Sequence, residues 1–214
     1  IMWLHGFGFP RYRGGLMFWA DGIGVREVYN QIASWHQQYG ERWAPSKLLR
    51  DLAESGTPFR LTVYVNDSSC APLVGAAVYV WHCNEEGAYS GYSSPMIGGD
   101  FTDATWLRGV QVVDRSGTVT FNTILPGRYS GRAAHIHFEV FADESLQQSL
   151  LVSQMAFDDD VVDSLYEQAG YASSLQHDTD NGRDRIFADG VDQQLLTITG
   201  DGATALTAAI RVAV

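Results

Sequence analysis

Arg132-Ala133-Ala134-His135-Ile136-His137-Phe138 opens a run that continues to Phe141 and reads as a β-strand. Residues two apart on a strand project from the same face. His135 and His137 are therefore expected side by side, with Ile136 turned the other way. Two imidazoles so placed suit one metal ion. An HxH pair alone is a weak signal, because histidines on strands are more often structural or solvent-facing. The strand also has company. Short β-branched runs separated by Gly, Pro, Asn and Asp recur at 59–66, 76–83, 109–114, 118–124, 134–141, 150–157, 194–199 and 205–213. With one short helix expected at 159–168, this spacing predicts an all-β fold, an antiparallel sandwich or barrel.

The first 56 residues read differently. Residues 25–39 place Val28, Ile32, Trp35 and Tyr39 at helical spacing. A second helix is expected at 46–52, after Pro45 and closed by Gly56. The change of character near Gly56-Thr57-Pro58 divides the chain into a helical segment, 1–56, and a β-rich segment, 57–214.

Composition excludes several functions. With 45% hydrophobic residues the chain can bury a real core. A net charge of −11 argues against nucleic acid and anionic membrane surfaces, which demand a basic footprint. Residues 1–56 hold 6 Lys/Arg and 5 Asp/Glu, so the acidity belongs to the longer segment, with 8 and 20. No run approaches the ~20 apolar residues that span a bilayer. The opening Ile1-Met2-Trp3-Leu4-His5 is neither an initiator methionine nor a signal peptide, and reads as the interior of a larger reading frame. Cys70 and Cys83 flank a turn signal; a bridge between them and two free thiols are both compatible with the spacing.

Two tyrosines join the histidine pair. Leu125-Pro126-Gly127-Arg128-Tyr129-Ser130-Gly131 places one in a turn that leads into the histidine strand. Val80-Trp81-His82-Cys83-Asn84-Glu85-Glu86-Gly87-Ala88-Tyr89-Ser90 ends a strand with the other. Either alone reads as a half-buried aromatic with a wet hydroxyl.

Together with Val78-Tyr79-Val80-Trp81-His82-Cys83, Leu107-Arg108-Gly109-Val110-Gln111 and Arg132, these motifs resemble the intradiol ring-cleavage dioxygenases. The likeness is strongest to the single-domain extracellular type that acts on lignin-derived aromatics, and it spans about 57–214. The resemblance implies an antiparallel β-sandwich of that family's type, with Fe(3+) held by Tyr89, Tyr129, His135 and His137. It also implies that Arg132 faces the substrate, that Gln154 lies near the iron, and that Tyr129 is the ligand displaced when substrate binds. The partners it implies are a catechol-type aromatic diol and dioxygen, the product a muconate-type diacid, and the compartment extracellular. Two phenolates and two imidazoles suit ferric iron, whereas zinc more typically recruits thiolates, carboxylates or more histidines. A non-catalytic metal-binding sandwich module would carry the same motifs. Arg128 stands where many relatives have tryptophan, which is expected to alter pocket polarity.

The run from Gly6 to Asp21, with Trp43-Ala44-Pro45 and Leu52-Ala53-Glu54-Ser55-Gly56, is similar to the C-terminal helical region of bacterial multifunctional β-oxidation enzymes. The glycine fingerprint of a dinucleotide site is missing, so this piece is expected to be chemically inert. His82 is expected to be structural, Asp158-Asp159-Asp160 to cap the following helix, and His177-Asp178-Thr179-Asp180 to be solvated surface.

Overall fold

Alternation builds the β-rich unit. In strand β1, Pro58–Asn66, the residues Phe59, Leu61, Val63 and Val65 are buried, while Arg60 points to solvent. That is the period of a half-buried strand. The computed structural model describes residues 25–45, 56–94, 99–167, 171–200 and 206–214. The chain divides into two compact units, Ile1–Ser55 and Gly56–Val214.

In the first unit the described part is helix α1, Val25–Tyr39, followed by a short 3-10 turn, Glu41–Trp43. Val28, Ile32 and Trp35 are half-buried, Tyr39 is exposed, and Trp35 meets Trp43 edge to face. The expected helix at 46–52 and the glycine-rich run at 6–21 lie outside the described residues.

The second unit stacks two four-stranded sheets. β2 is Ala77–Trp81, β3 Ser93–Ser94, β4 Gly99–Asp100 and β5 Arg108–Val112. β6 is Thr118–Ile124, β7 His135–Phe141 and β8 Ser149–Ala156. Helix α2 spans Asp159–Tyr166, and β9, Thr197–Thr199, and β10, Leu206–Ala213, complete the unit. One sheet has the order β6-β1-β10-β9 and the other β5-β2-β7-β8, with β3 and β4 forming a small ribbon. Phe59, Leu61, Val63, Val78, Ile136, Phe138, Val140 and Leu206 belong to one buried core cluster between the sheets.

The sandwich is as expected, with one departure. β1 and β10 pair in parallel, with Phe59 opposite Leu206 and Asn66 opposite Ala213. Hairpin connections force antiparallel pairing, but these strands are joined by nearly the whole unit and carry no such constraint. Strand ends agree with the sequence reading to within three residues, and β6 matches it at both ends. Cys83 and Phe157 lie beyond the ladders although they are buried and apolar. Hydrophobicity marks burial, and hydrogen-bond pairing is a separate matter.

The cysteines are both free: Cys70 is exposed and Cys83 buried. Helix α2 is capped as expected, Asp158 accepting from the Val161 N–H at 3.1 Å. No helix among the described residues is long and apolar enough to cross a membrane.

Candidate metal centre

Strand β7 places its odd and even residues on opposite faces. Ile136, Phe138 and Val140 enter the core, so His135 and His137 stand on the outer face of their sheet. There β7 lies between β2 and β8, with His137 opposite Trp81 on one side and Gln154 on the other.

The tyrosines arrive on two loops that are tied together. Asn84 shapes the first: its side chain accepts from the Ala88 N–H at 2.7 Å, and Gly87 adopts φ 86°. The second loop begins at Leu125 and Pro126, whose carbonyls accept from Tyr171 and Tyr166, each at 2.7 Å. Hydrogen bonds tie the loops together, directly and through Ser174. The Gly127 N–H donates to the Asn84 carbonyl at 3.0 Å. Ser174 Oγ donates to the Glu85 carbonyl at 2.7 Å and accepts from the Arg128 N–H at 2.9 Å. Gly127 is required here because a Cβ would meet the Glu85 carbonyl oxygen at 2.5 Å and that of Asn84 at 2.7 Å. Tyr89 and Tyr129 are thus positioned as a pair, with ring centroids 5.7 Å apart.

Their hydroxyls meet the imidazoles at one point. His135 Nε2 lies 3.2 Å from the Tyr89 hydroxyl, 3.2 Å from the Tyr129 hydroxyl and 3.2 Å from His137 Nε2. His135 Nδ1 sits 2.7 Å from the Ala133 carbonyl, which fixes the proton on Nδ1 and leaves Nε2 as a bare lone pair. One lone pair does not satisfy three such neighbours by hydrogen bonding. Donor atoms about 2.0–2.1 Å from a common metal and about 90–109° apart would lie about 2.8–3.4 Å from each other. The observed spacings fit that shell.

Electrostatics point the same way. Burial, reinforced by Arg132 and His137, lowers the His135 pKa to about 3. Burial, with Arg132 and Arg108, lowers that of His137 to about 4. Both rings are therefore neutral at pH 7, the form in which an imidazole nitrogen can ligate a metal. Burial raises the pKa of Tyr89 far above the ordinary phenol value, and burial also raises that of Tyr129, against the opposing charge of Arg132. Without a cation these hydroxyls keep their protons, so the pocket is short of positive charge for two phenolates. A multivalent ion would supply it. Cys83 is no rival ligand: burial pushes its thiol up to about 12, and it donates to the Gly127 carbonyl. Hard phenolate oxygens with imidazole nitrogens, and no thiolate, fit ferric iron. No cluster of three or more His, Cys, Asp or Glu suited to a metal occurs among the described residues, so this centre depends on its tyrosines.

Arg132 and Gln154 come to the same place. Arg132 Nη1 is 3.3 Å from both the Tyr129 hydroxyl and His135 Nε2, and Nη2 donates to Gln154 Oε1. Its Nε donates to both oxygens of Asp184, at 3.1 and 2.9 Å. Asp184 was not singled out by the sequence reading. It is fully buried at its side chain and also accepts from the N–H groups of Ala133 and Ile186. It lies in a polar loop far along the chain, and nothing in the local pattern marks it as the partner of Arg132. Trp81, stacked on His137 at 4.9 Å between centroids and 4° between planes, was likewise read only as part of a motif.

Arg128 corrects an expectation. It is buried, pairs with Asp163 at 2.8 Å, donates to the His177 carbonyl and lies over the Tyr166 ring. Its charge thus braces the loop behind Tyr129, and its partners are not those of the tyrosine–histidine cluster. His82 is structural as expected, its two ring nitrogens 2.8 Å from the Cys83 carbonyl and from Thr123 Oγ1. Asp178 and Asp180 pair with Arg183 on the surface.

Comparison with known proteins adds to this geometry. A family model described as dioxygenase matches residues 38–185. An intradiol ring-cleavage dioxygenase structure from Tetranychus urticae superposes with a TM-score of 0.65 at 27% identity, covering 74% of this chain and 80% of that one. A chlorocatechol 1,2-dioxygenase of Rhodococcus opacus is 32% identical over 135 residues, 54% of this chain and 49% of that protein. A glyoxysomal fatty acid beta-oxidation multifunctional protein of Brassica napus is 43% identical over 58 residues, 27% of this chain but only 8% of that protein. The chain thus spans about half of the one curated relative and a small part of the other.

Proposed function

The chain belongs to the dioxygenase family, and from that premise we propose that it cleaves a catechol-type aromatic diol in the intradiol manner, using Fe(3+) and dioxygen. Both oxygen atoms enter the product, a muconate-type diacid opened between the two hydroxyl-bearing carbons. The observation that carries this reading is the convergence of the Tyr89 and Tyr129 hydroxyls and His137 Nε2 on His135 Nε2, each at 3.2 Å.

Ferric iron held by Tyr89, Tyr129, His135 and His137 would bind the diol oxygens and draw electron density from the ring, opening it to dioxygen. The residues around it have distinct tasks. Tyr89 is buried and would hold the metal as the permanent phenolate ligand. Tyr129 is less buried and has Arg132 Nη1 beside its hydroxyl, so of the two tyrosines it would be the one to give way to substrate and accept a substrate proton. Arg132 is held by Asp184 on one side and Gln154 on the other. A fixed cation there stabilises negative charge that grows on the substrate, without reorganising during the reaction. Gln154 keeps the guanidinium turned toward Tyr129. The first 56 residues have no assigned part in the chemistry.

The test is turnover of catechol by the iron-loaded chain. Oxygen uptake with a ring-opened diacid carrying two labelled atoms from ¹⁸O₂ is the expected result. A ring-opened semialdehyde, from cleavage beside the diol, or no oxygen uptake, would refute the reading.

A further inference from the structure

The two histidines of the cluster are held in different ways. His135 is locked by the bond from its Nδ1 to the Ala133 carbonyl. Among the described residues His137 has no such bond; its one hydrogen-bond neighbour is His135 Nε2, on the metal side of the ring. Metal-bound histidines usually fix their orientation through the other ring nitrogen. Here something else must prevent rotation about the Cβ–Cγ bond.

Register supplies it. Trp81 lies directly across the ladder from His137, and the two rings stack within 4° of parallel, their centroids 4.9 Å apart. Tyr79, two residues along the same face of β2, stacks in turn on Trp81 at 5.0 Å and 24°. The outer end of this pile is pinned by Arg108, which donates from Nη1 to the Tyr79 hydroxyl at 2.8 Å. Arg108 is itself anchored through Nε and Nη2 to the Ser90 hydroxyl and carbonyl. Ser90 follows Tyr89. The stack therefore runs from one expected ligand, His137, back to the backbone beside another.

We propose that Trp81 is a positioning residue that sets the plane of the His137 imidazole by stacking, the part that the Ala133 carbonyl plays for His135. The inference rests on the iron-binding reading above. A flat ring face is what the role needs: stacking restrains the tilt of the imidazole while leaving Nε2 free to aim at the metal. Tyr79 and Arg108 complete the support by keeping Trp81 from tilting outward.

The experiment compares Trp81→Phe, which keeps a ring face, with Trp81→Leu, which removes it. Ferric iron is delivered as its nitrilotriacetate complex, and affinity is read from competition with free nitrilotriacetate. Trp81→Leu is expected to weaken iron binding about 10- to 100-fold and broaden the ferric electron paramagnetic resonance signal, while Trp81→Phe stays within about threefold of wild type. Urea unfolding of the metal-free variants reports any purely structural damage. Should Trp81→Leu not fold, Trp81→Met supplies a flexible side chain without a ring face. A ring-less variant that binds iron like wild type, or equal losses for Phe and Leu, would overturn the proposal. A wild-type chain that takes up no ferric iron overturns both this proposal and the reading beneath it; uptake by wild type with no effect at Trp81 overturns this one alone.

Discussion

Asp184→Asn changes one atom type and one charge at the residue that holds Arg132. The carboxylate accepts from the Ile186 N–H through Oδ1 and from the Ala133 N–H through Oδ2, both at 2.9 Å, while Arg132 Nε reaches both oxygens. Asparagine offers one oxygen. Whichever way its amide is turned, its NH₂ faces a backbone N–H that has lost its acceptor. Arg132, with its side chain only 17% exposed, loses its counter-charge as well. Each charge-assisted hydrogen bond contributes about 1.5–3 kcal/mol, and removing one partner of a buried pair costs about 3–5 kcal/mol. The amide keeps part of the geometry, so a loss of about 3 kcal/mol is expected, or about 6–12 °C in Tm for a unit of this size. The pH dependence has a definite sign. Burial works to raise the Asp184 pKa, but the N–H groups of Ile186 and Ala133 and the Arg132 guanidinium outweigh it and hold the carboxyl below its usual range. The stability this gives is fully present above the unfolded carboxylate pKa of about 3.9 and lost as pH falls through the folded value. The gap between wild type and Asp184→Asn should therefore be widest near neutrality and close below about pH 4. Urea unfolding of the metal-free proteins at pH 7 and at about pH 2–3, below the unfolded carboxylate pKa, with catechol turnover at pH 7, measures both consequences. A loss under about 1 kcal/mol with unchanged turnover would refute the assigned role.

Gly127→Ala should destabilise the fold by about 1–3 kcal/mol and weaken iron uptake, because its Cβ meets two backbone carbonyls and the turn that carries Tyr129 must shift. Thermal melting and iron titration check this, and a wild-type melt would contradict it. His82 makes stability pH-dependent: burial lowers its pKa to about 4 from 6.5, so the unfolded chain takes up a proton first as pH falls. Stability should drop between those values by up to about 3 kcal/mol, and His82→Gln should flatten that part of the profile. Arg132→Ala should keep the ferric-tyrosinate colour but slow turnover about 10²-fold or more, the range for removing one preorganised electrostatic group. Unchanged turnover would exclude Arg132 from the chemistry.

How much was legible in the sequence follows from how local each signal is. His135 and His137 needed only the period of a strand, and Ile136 confirms the alternation by lying fully buried. Tyr89 and Tyr129 sit on irregular loops, where no period applies; only motif resemblance marked them. The ties that bring these loops together, Ser174 to Glu85 and Arg128, link residues 89 and 46 positions apart, beyond the reach of any local pattern. Asp184 is hidden for the same reason. The surroundings of Arg128 were not legible either, since its side chain turns to Asp163 and the Tyr166 ring, 35 and 38 positions away. The parallel β1–β10 pair also escaped, since pairing between distant strands leaves no turn signal.

The central claim is a ferric centre built from two phenolates and two imidazoles. Visible absorption of the chain after loading with ferric iron, with metal content measured on the same sample, tests it most directly. One iron per chain and a tyrosinate-to-iron charge-transfer band that shifts when catechol is added under nitrogen is the predicted result. A colourless protein, whether metal-free or holding stoichiometric zinc, would contradict it.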